Sequence, residues 1–320
     1  AYTVGIDVQT INSEKSMKIN IPETAVAAQF LTEAAARLGL ECATSDKTAP
    51  QASTVTAALS REEEKKHFID LDIPTLPYLL IETQEQFHKF IEETEVELFA
   101  RPLNKHSYDT NLVLQNAEDA EQAWEDYQGQ PLIIENNVAF DFTTTLIAAR
   151  NKQQTVFYPL VYTVYADQVL HTCIAPLGDT ALQEQAETYG KLLLEKLNHI
   201  GVFTLRFAVK DDKLYALGFT PSLDNVGYLT LEPFCSVSQF ELQLRAVLNL
   251  PLPTPEITKP TTSINLIDAL PDETIIKESL HYYRYSNLPE TSKILGHLAL
   301  SGESFDEVKE KIDRLQAYFK

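Results

Sequence analysis

The chain has 320 residues, of which 44% are hydrophobic and 22% charged, and this composition is typical of a globular protein with two or three domains. Its net charge of −20 argues against nucleic acid or an anionic membrane as a partner, because both require clustered Lys and Arg side chains. Its three widely spaced cysteines form neither a zinc motif nor a disulfide framework, so a cytoplasmic location is expected.

The first half of the sequence predicts alternating strands and helices that begin with a βαβ unit. Ser60 is the predicted N-cap of one helix, because three acidic residues follow it and favour the positive end of the helix dipole. The predicted elements are a strand at 17–21, a helix at 26–40, a strand at 40–45, helices at 57–68, 83–93 and 116–127, a strand after 73–77, and a hairpin of 96–101 with 111–114.

The second half predicts more strands, a long helix and a final β-rich segment. The predicted strands are 132–135, 144–149, 155–164, 169–174, 202–209 and 213–219, and the predicted helices are 180–199 and 304–318. Between them, the segment from Cys235 to Leu248 predicts a helix with Phe240 and Leu244 on one side, and Pro251 stops it.

That last helix carries the most specific motif of the chain. The run Cys235-Ser-Val-Ser-Gln-Phe-Glu-Leu-Gln-Leu-Arg-Ala-Val-Leu-Asn-Leu-Pro-Leu252 resembles the signature C-x-x-S-Q-F-E-x-x-L-R-A-x-L-x-L-P-L of carboxyaminoimidazole ribonucleotide synthetases (PurK), which are ATP-grasp enzymes. Further segments are similar to this family in the same order along the chain, namely 27–40, 73–78, 158–161, 174–176, 265–267 and 296–297.

The resemblance implies a mixed α+β and α/β architecture with an ATP-grasp fold. It implies a shortened Rossmann-like domain at 1–68, an ATP-grasp domain at 69–250, and a small C-terminal β domain with a terminal helix at 251–320. The first domain is several tens of residues shorter than the family pattern, and 1–16 precede the family's first strand.

The metal-binding carboxylates of the family are replaced in this sequence. By resemblance, one magnesium ligand belongs in Thr204-Leu-Arg-Phe207, where Arg206 stands, and the other at Gly218. A cation and a glycine cannot hold magnesium for phosphoryl transfer, so we expect no metal, no catalytic residue and no cofactor. Rescue by another carboxylate, such as Asp224 or Glu232, is the alternative at this site.

The nucleotide-binding segments are altered as well. The family's glycine-rich lid corresponds to 102–111, which keeps only Tyr108 and Asp109 and has no glycine to turn backbone N–H groups towards phosphate. The segment that would hold adenine corresponds to Glu135, Asn136, Asn137 and Val138, a vestigial nucleotide site by resemblance.

Some polar residues remain at the substrate end. By resemblance, Lys293 stands where the family has a phosphate-contacting Arg, Arg284 or Tyr285 falls near the Lys that is its partner, and Asn225 is retained. With Tyr108 and Asp109, these residues predict a small phosphorylated ligand as the binding partner.

Three functions follow from these patterns. The leading hypothesis is a catalytically impaired PurK-like protein that acts by binding. The first alternative is an active ligase that uses ATP and magnesium to carboxylate aminoimidazole ribonucleotide with bicarbonate, and the second is a structural partner of an active paralogue. The family resemblance also predicts a homodimer.

Overall fold

The computed structural model describes residues 7–10, 17–22, 27–45, 59–92, 98–103, 112–136, 138–166, 169–268, 270, 281–285, 288 and 293–316. The chain forms two compact units: 1–56, 143–205 and 220–320 make the first, and 57–142 with 206–219 make the second. Each unit therefore contains segments that are far apart in sequence. The division into three consecutive domains at 68 and 250 stays a prediction.

The first unit begins with the predicted βαβ arrangement. Strand β1 (Asp7–Thr10) pairs antiparallel with β2 (Met17–Pro22), and β2 pairs parallel with β3 (Glu41–Ser45). Helix α1 (Ala28–Arg37) connects β2 to β3 and buries one face that includes Phe30. The crossover from β2 to β3 has the form expected for a parallel strand pair.

The second unit has a four-stranded antiparallel sheet in the order β4-β7-β5-β6. Its elements are α2 (Arg61–Asp70), β4 (Tyr78–Ile81), α3 (Gln84–Glu92), β5 (Leu98–Pro102), β6 (Leu112–Leu114), α4 (Ala117–Asp126) and β7 (Leu132–Asn136). One face of this sheet forms an apolar core with Phe87 and Ala123, and Trp124 packs against that core. Because side chains alternate along a strand, Arg101 and Glu135 lie on the opposite face.

Helix α2 begins at Arg61, directly after the predicted N-cap Ser60, and not at residue 57. The Ser60 hydroxyl accepts a hydrogen bond from the Glu63 backbone N–H at 3.2 Å, and the Glu63 carboxylate accepts one from the Ser60 N–H at 2.7 Å. This capping box satisfies two N–H groups that a helix start leaves without partners. The Ser60 prediction is confirmed.

The main sheet of the first unit follows the order β12-β8-β10-β11-β14-β16-β15, and β9 pairs with β8. Its strands are β8 (Phe142–Arg150), β9 (Thr155–Phe157), β10 (Val161–Ala166), β11 (Val169–Ala175), β12 (Gly201–Lys210), β14 (Thr261–Ile267), β15 (His281–Arg284) and β16 (Ile294–Ser301). Strand β12 continues into the second unit, where β13 (Lys213–Thr220) follows it. Strand β14 pairs with β11, so the C-terminal strands extend this sheet.

One strand prediction is wrong. Residues 155–164 form two strands instead of one, because 158–160 leave the ladder between β9 and β10. Pro159 has no N–H to donate there, and the Leu160 N–H donates instead to the Gln183 side chain at 2.6 Å.

Helices complete the first unit. They are α5 (Thr180–Lys196), α6 (Gln239–Val247) and α7 (Phe305–Gln316), with the short 3₁₀-helix η1 at Asn225–Thr230. The signature helix α6 is capped by Ser238 and packs against α1, where the rings of Phe30 and Phe240 stack with centroids 5.1 Å apart. The family motif therefore builds core packing in this region. Among the described residues, no helix combines the length and apolar character needed to cross a membrane.

Candidate functional site

The two positions that the resemblance assigns to magnesium carboxylates lie close together in the second unit. Arg206 lies in β12 and Gly218 in β13. A Cβ atom placed on Gly218 would lie 3.4 Å from Glu64 Oε2 and 3.5 Å from Arg206 Nη2. The structure thus brings Glu64, a residue of α2, to the site where the family pattern has its second carboxylate.

The Glu64 side chain is already engaged by the protein. It is buried, and its Oε1 atom accepts a hydrogen bond from the Phe219 N–H at 3.0 Å. Magnesium requires near-octahedral oxygen coordination, usually with one or two carboxylates and substrate phosphates. A single carboxylate beside a guanidinium does not fit that requirement, because the Arg206 charge repels a divalent cation. In the part of the chain that the structure describes, no three His, Cys, Asp or Glu side chains form a group that could hold a metal.

Glu135, the first residue of the predicted adenine segment, is buried under two cations. The Lys65 ammonium lies 2.5 Å from Glu135 Oε1, and the Arg101 guanidinium contacts Oε2. Lys65 also donates to Thr75 Oγ1 at 2.7 Å and to the Leu76 carbonyl at 3.3 Å. Both carboxylate oxygens of Glu135 therefore contact cationic side chains of the protein itself.

Burial, together with nearby positive charge, lowers the pKa of both cations that contact Glu135. Burial lowers the pKa of Lys65 to about 7, and Arg101 contributes to this lowering, whereas Glu64 opposes it. Burial also lowers the pKa of Arg101 to about 9, and the neighbouring Arg61 and Arg206 add to this effect. Arg101 therefore remains protonated at neutral pH.

The other residues of the predicted nucleotide site are only partly described. Asn136 is exposed at the end of β7, and Val138 is half-buried just beyond it. Asn137, Tyr108 and Asp109 lie outside the described residues. Their assignment to nucleotide or phosphate binding stays a prediction.

The predicted substrate residues lie in the first unit. Arg284 is exposed at the end of β15, opposite Gly296 in the strand register, and Lys293 is exposed just before β16. Because β15 and β16 are antiparallel, both cations lie at the same end of this strand pair. Asn225 begins η1, which Asp224 caps by accepting a hydrogen bond from the Val226 N–H at 3.0 Å.

Four charged residues of the second unit were not predicted as site residues from the sequence. Arg61, Glu64 and Lys65 were assigned only to a helix, and Arg101 only to a strand. The spacing of the helix residues could have revealed them. Arg61, Glu64, Lys65 and Phe68 lie on one face of the helix, and Phe68 is fully buried. Charged residues next to an apolar anchor on one face indicate a buried ionic contact.

The class of protein follows from comparison with known protein families. A model of the ATP-grasp domain matches residues 66–240, so the chain is an ATP-grasp protein. The N5-carboxyaminoimidazole ribonucleotide synthase of Escherichia coli (strain K12) is 30% identical over 259 residues, which cover 80% of this chain and 72% of that protein. The chain belongs to the N5-carboxyaminoimidazole ribonucleotide synthase (PurK) family.

Solved structures share the fold. The N5-carboxyaminoimidazole ribonucleotide synthetase from Thermus thermophilus superimposes with a TM-score of 0.79 at 23% identity, covering 92% of this chain and 96% of that one. The synthase from Aspergillus clavatus, in complex with ADP and 5-aminoimidazole ribonucleotide, gives a TM-score of 0.81 at 18% identity and covers 94% and 98%. These likenesses confirm the ATP-grasp fold that the sequence predicts.

Proposed function

We propose that this protein is a PurK-family member that has lost magnesium-dependent ligation and acts by binding. The observation that carries the proposal is the pair of positions 206 and 218, where a guanidinium and a glycine flank the single carboxylate of Glu64. The family resemblance gives two magnesium carboxylates to these positions.

The physical reason is charge neutralisation. Transfer of a phosphoryl group requires the negative charge of triphosphate to be balanced by metal ions that bridge its oxygens. The donor set beside Gly218 does not fit magnesium, so no catalytic step through that ion is assigned to this chain. Glu135 supports the same interpretation, because Lys65 and Arg101 occupy both of its carboxylate oxygens.

The proposal is tested by a carboxylation assay. Purified protein is mixed with ATP, magnesium, bicarbonate and 5-aminoimidazole ribonucleotide, and ADP release is followed with the Escherichia coli relative as the positive control. Because metal stabilisation of a transition state is worth several kcal/mol, we expect a rate about a thousandfold or more below that control. A bicarbonate-dependent rate within about tenfold of the control would refute the proposal and establish the active ligase.

The remaining functional assignments are proposals of the same kind. The family resemblance supports a homodimer, which light scattering after size exclusion measures directly. A cytoplasmic location is supported by the free thiols of Cys42, Cys173 and Cys235. Co-purification with an active relative from the source cell decides whether the chain instead serves as a structural subunit.

A further inference from the structure

The first unit contains a cleft whose lining includes none of the predicted site residues. It has a volume of about 400 Å³ and lies between the turn that joins β8 to β9 and the second half of α5. We call it the hairpin cleft, and the side chains that matter for its chemistry are Arg150, Lys152, Gln153, Phe157, Lys191 and Glu195. All of them belong to the segment 143–205, so the cleft lies within one compact unit. A volume of this order is typical of sites for small molecules.

The turn that forms one wall of the hairpin cleft is held in a fixed shape. Asn151 is buried, and its Oδ1 atom accepts hydrogen bonds from the backbone N–H groups of Gln153 at 2.9 Å and Gln154 at 2.7 Å. Its Nδ2 atom donates to the Leu250 carbonyl at 2.7 Å, and the Leu252 N–H donates to the Gln154 side chain at 2.9 Å. Because these bonds fix the backbone of the turn, a ligand in the cleft would not have to order that wall.

The lining of the hairpin cleft is positively charged, although the chain as a whole has a net charge of −20. Arg150, Lys152 and Lys191 face a single carboxylate, that of Glu195, so the lining carries two excess positive charges. Within the part of the chain that the structure describes, none of these three cations forms an ion pair with a carboxylate. Arg150 donates one hydrogen bond, from Nη1 to the His199 carbonyl at 2.6 Å, which fixes the position of its guanidinium group. The cleft therefore has an excess of positive charge that an anion can balance.

We propose that the hairpin cleft binds a small phosphate monoester. The phosphate group of a monoester carries a charge of about −1.5 to −2 at neutral pH, which matches the two excess positive charges of the lining. A guanidinium group forms charge-assisted hydrogen bonds with phosphate oxygens, and lysine ammonium groups add point charges beside it. The proposal goes beyond the proposed function and does not depend on it, because neither of the positions 206 and 218 belongs to the cleft.

The organic part of the ligand has partners in the same cleft. The Gln153 side chain is exposed and forms no hydrogen bond with another described residue, so its amide is available to a hydroxyl group. The ring of Phe157 is half-buried and offers an apolar surface to carbon atoms. These two side chains lead us to expect a monoester to bind more tightly than inorganic phosphate, which shares only the charged group.

The first measurement is isothermal titration calorimetry at low salt, with glycerol 3-phosphate, inorganic phosphate and glycerol as separate probes. We expect glycerol 3-phosphate to bind saturably, inorganic phosphate to bind more weakly, and glycerol not to bind. Because the lysines of the cleft are exposed, the affinity for glycerol 3-phosphate should fall as the salt concentration rises.

Variants of exposed side chains assign the binding to the cleft without disturbing the fold. Lys152→Gln and Lys191→Gln should each weaken the binding of glycerol 3-phosphate about tenfold, the usual effect of losing a hydrogen bond between charged groups. Glu195→Gln removes the one negative charge of the lining and should strengthen binding about threefold. The matched control is Lys213→Gln, an exposed lysine of β13, which should stay within about twofold of the wild type.

A second measurement separates the hairpin cleft from the predicted substrate end of the molecule. Exposed lysines are acetylated with acetic anhydride in the presence and absence of glycerol 3-phosphate, and mass spectrometry measures the extent at each position. We expect the ligand to slow the acetylation of Lys152 and Lys191 severalfold and to leave Lys213 unchanged. Protection of Lys293 in their place would assign the ligand to the substrate end and would overturn the inference.

Three calorimetric results would also overturn the inference. They are no saturable binding of glycerol 3-phosphate, binding of inorganic phosphate as tight as that of the monoester, and unchanged affinity in both Lys152→Gln and Lys191→Gln. Bicarbonate-dependent turnover with magnesium would refute the loss of ligation and leave the hairpin cleft unaffected, so the two proposals fail separately.

Discussion

Replacing Lys65 with Met is expected to lower the free energy of unfolding of the second unit by about 3 kcal/mol. The ammonium group lies 2.5 Å from Glu135 and donates to Thr75 and to the Leu76 carbonyl, and the residue is only 2% exposed. Met is nearly as long and fills similar space, so the variant removes the polar group without opening a large cavity. The carboxylate of Glu135 then keeps only Arg101, and the half-buried Thr75 hydroxyl and the buried Leu76 carbonyl each lose a donor.

Urea denaturation followed by fluorescence measures this effect in the right part of the molecule. Trp124 is the only tryptophan of the chain, and it packs against the core of the second unit. Its emission therefore reports the unfolding of that unit. The control is Lys66→Met on the next residue of α2, whose ammonium pairs with Glu62 at 2.7 Å on the exposed side of the helix. This control should leave the midpoint of the transition unchanged.

The reasoning would be refuted if Lys65→Met shifted the transition no more than Lys66→Met. That result would mean that the pair contributes nothing beyond the cost of removing its charges from water. A transition midpoint equal to that of the wild type, with a changed dependence of the free energy of unfolding on urea concentration, would instead indicate that the variant alters the denatured state or the cooperativity of unfolding.

Three further predictions concern stability. Burial lowers the pKa of His297 to about 3. Below pH 6.5 only the unfolded state takes up this proton. The free energy of unfolding should therefore decrease by at most about 1.4 kcal/mol for each unit by which the pH is lowered. His297→Gln should show a shallower fall between about pH 6.5 and 5 in urea titrations followed by circular dichroism, and an equal slope would contradict the assignment. Gly190→Ala should destabilise by about 1 to 3 kcal/mol, although Ala favours helices, because its Cβ would lie 2.8 Å from Leu146 Cδ2. A higher free energy of unfolding for Gly190→Ala in the same titration would contradict this prediction, because it would show that the Leu146 side chain moves at little cost. Ser60→Ala should cost about 1 kcal/mol through loss of the capping box, and no shift in the Trp124 transition would argue against it.

Local sequence signals predicted much of the fold correctly. Ser60 followed by acidic residues marks the start of α2, and the parallel pairing of β2 with β3 follows from a strand, helix and strand in succession. The signature helix α6 appears with the predicted Phe240 buried, although it begins at Gln239, after a Ser238 cap that was not predicted, and not at Cys235. These features depend on residues that are near one another in sequence, which is why periodicity and capping patterns reveal them.

Features that depend on distant residues were harder to predict. The sequence places Arg206 and Gly218 at the former metal positions but gives no sign that Glu64, from a helix far earlier in the chain, lies beside them. The partners of Glu135 come from a helix and another strand, and no local pattern specifies that pairing. The C-terminal strands join the main sheet through β11, a contact that only the three-dimensional arrangement reveals.

The most direct test of the central claim is metal binding at positions 206 and 218. Manganese has an electron paramagnetic resonance signal that changes when the ion is held by a protein, and it substitutes for magnesium at oxygen-rich sites. When manganese and ATP are mixed with the wild type, we expect the same spectrum that manganese and ATP give without protein. The double variant Arg206→Glu and Gly218→Glu restores both carboxylates and should produce a bound spectrum. A stoichiometric bound manganese in the wild type, unchanged in the double variant, would contradict the account.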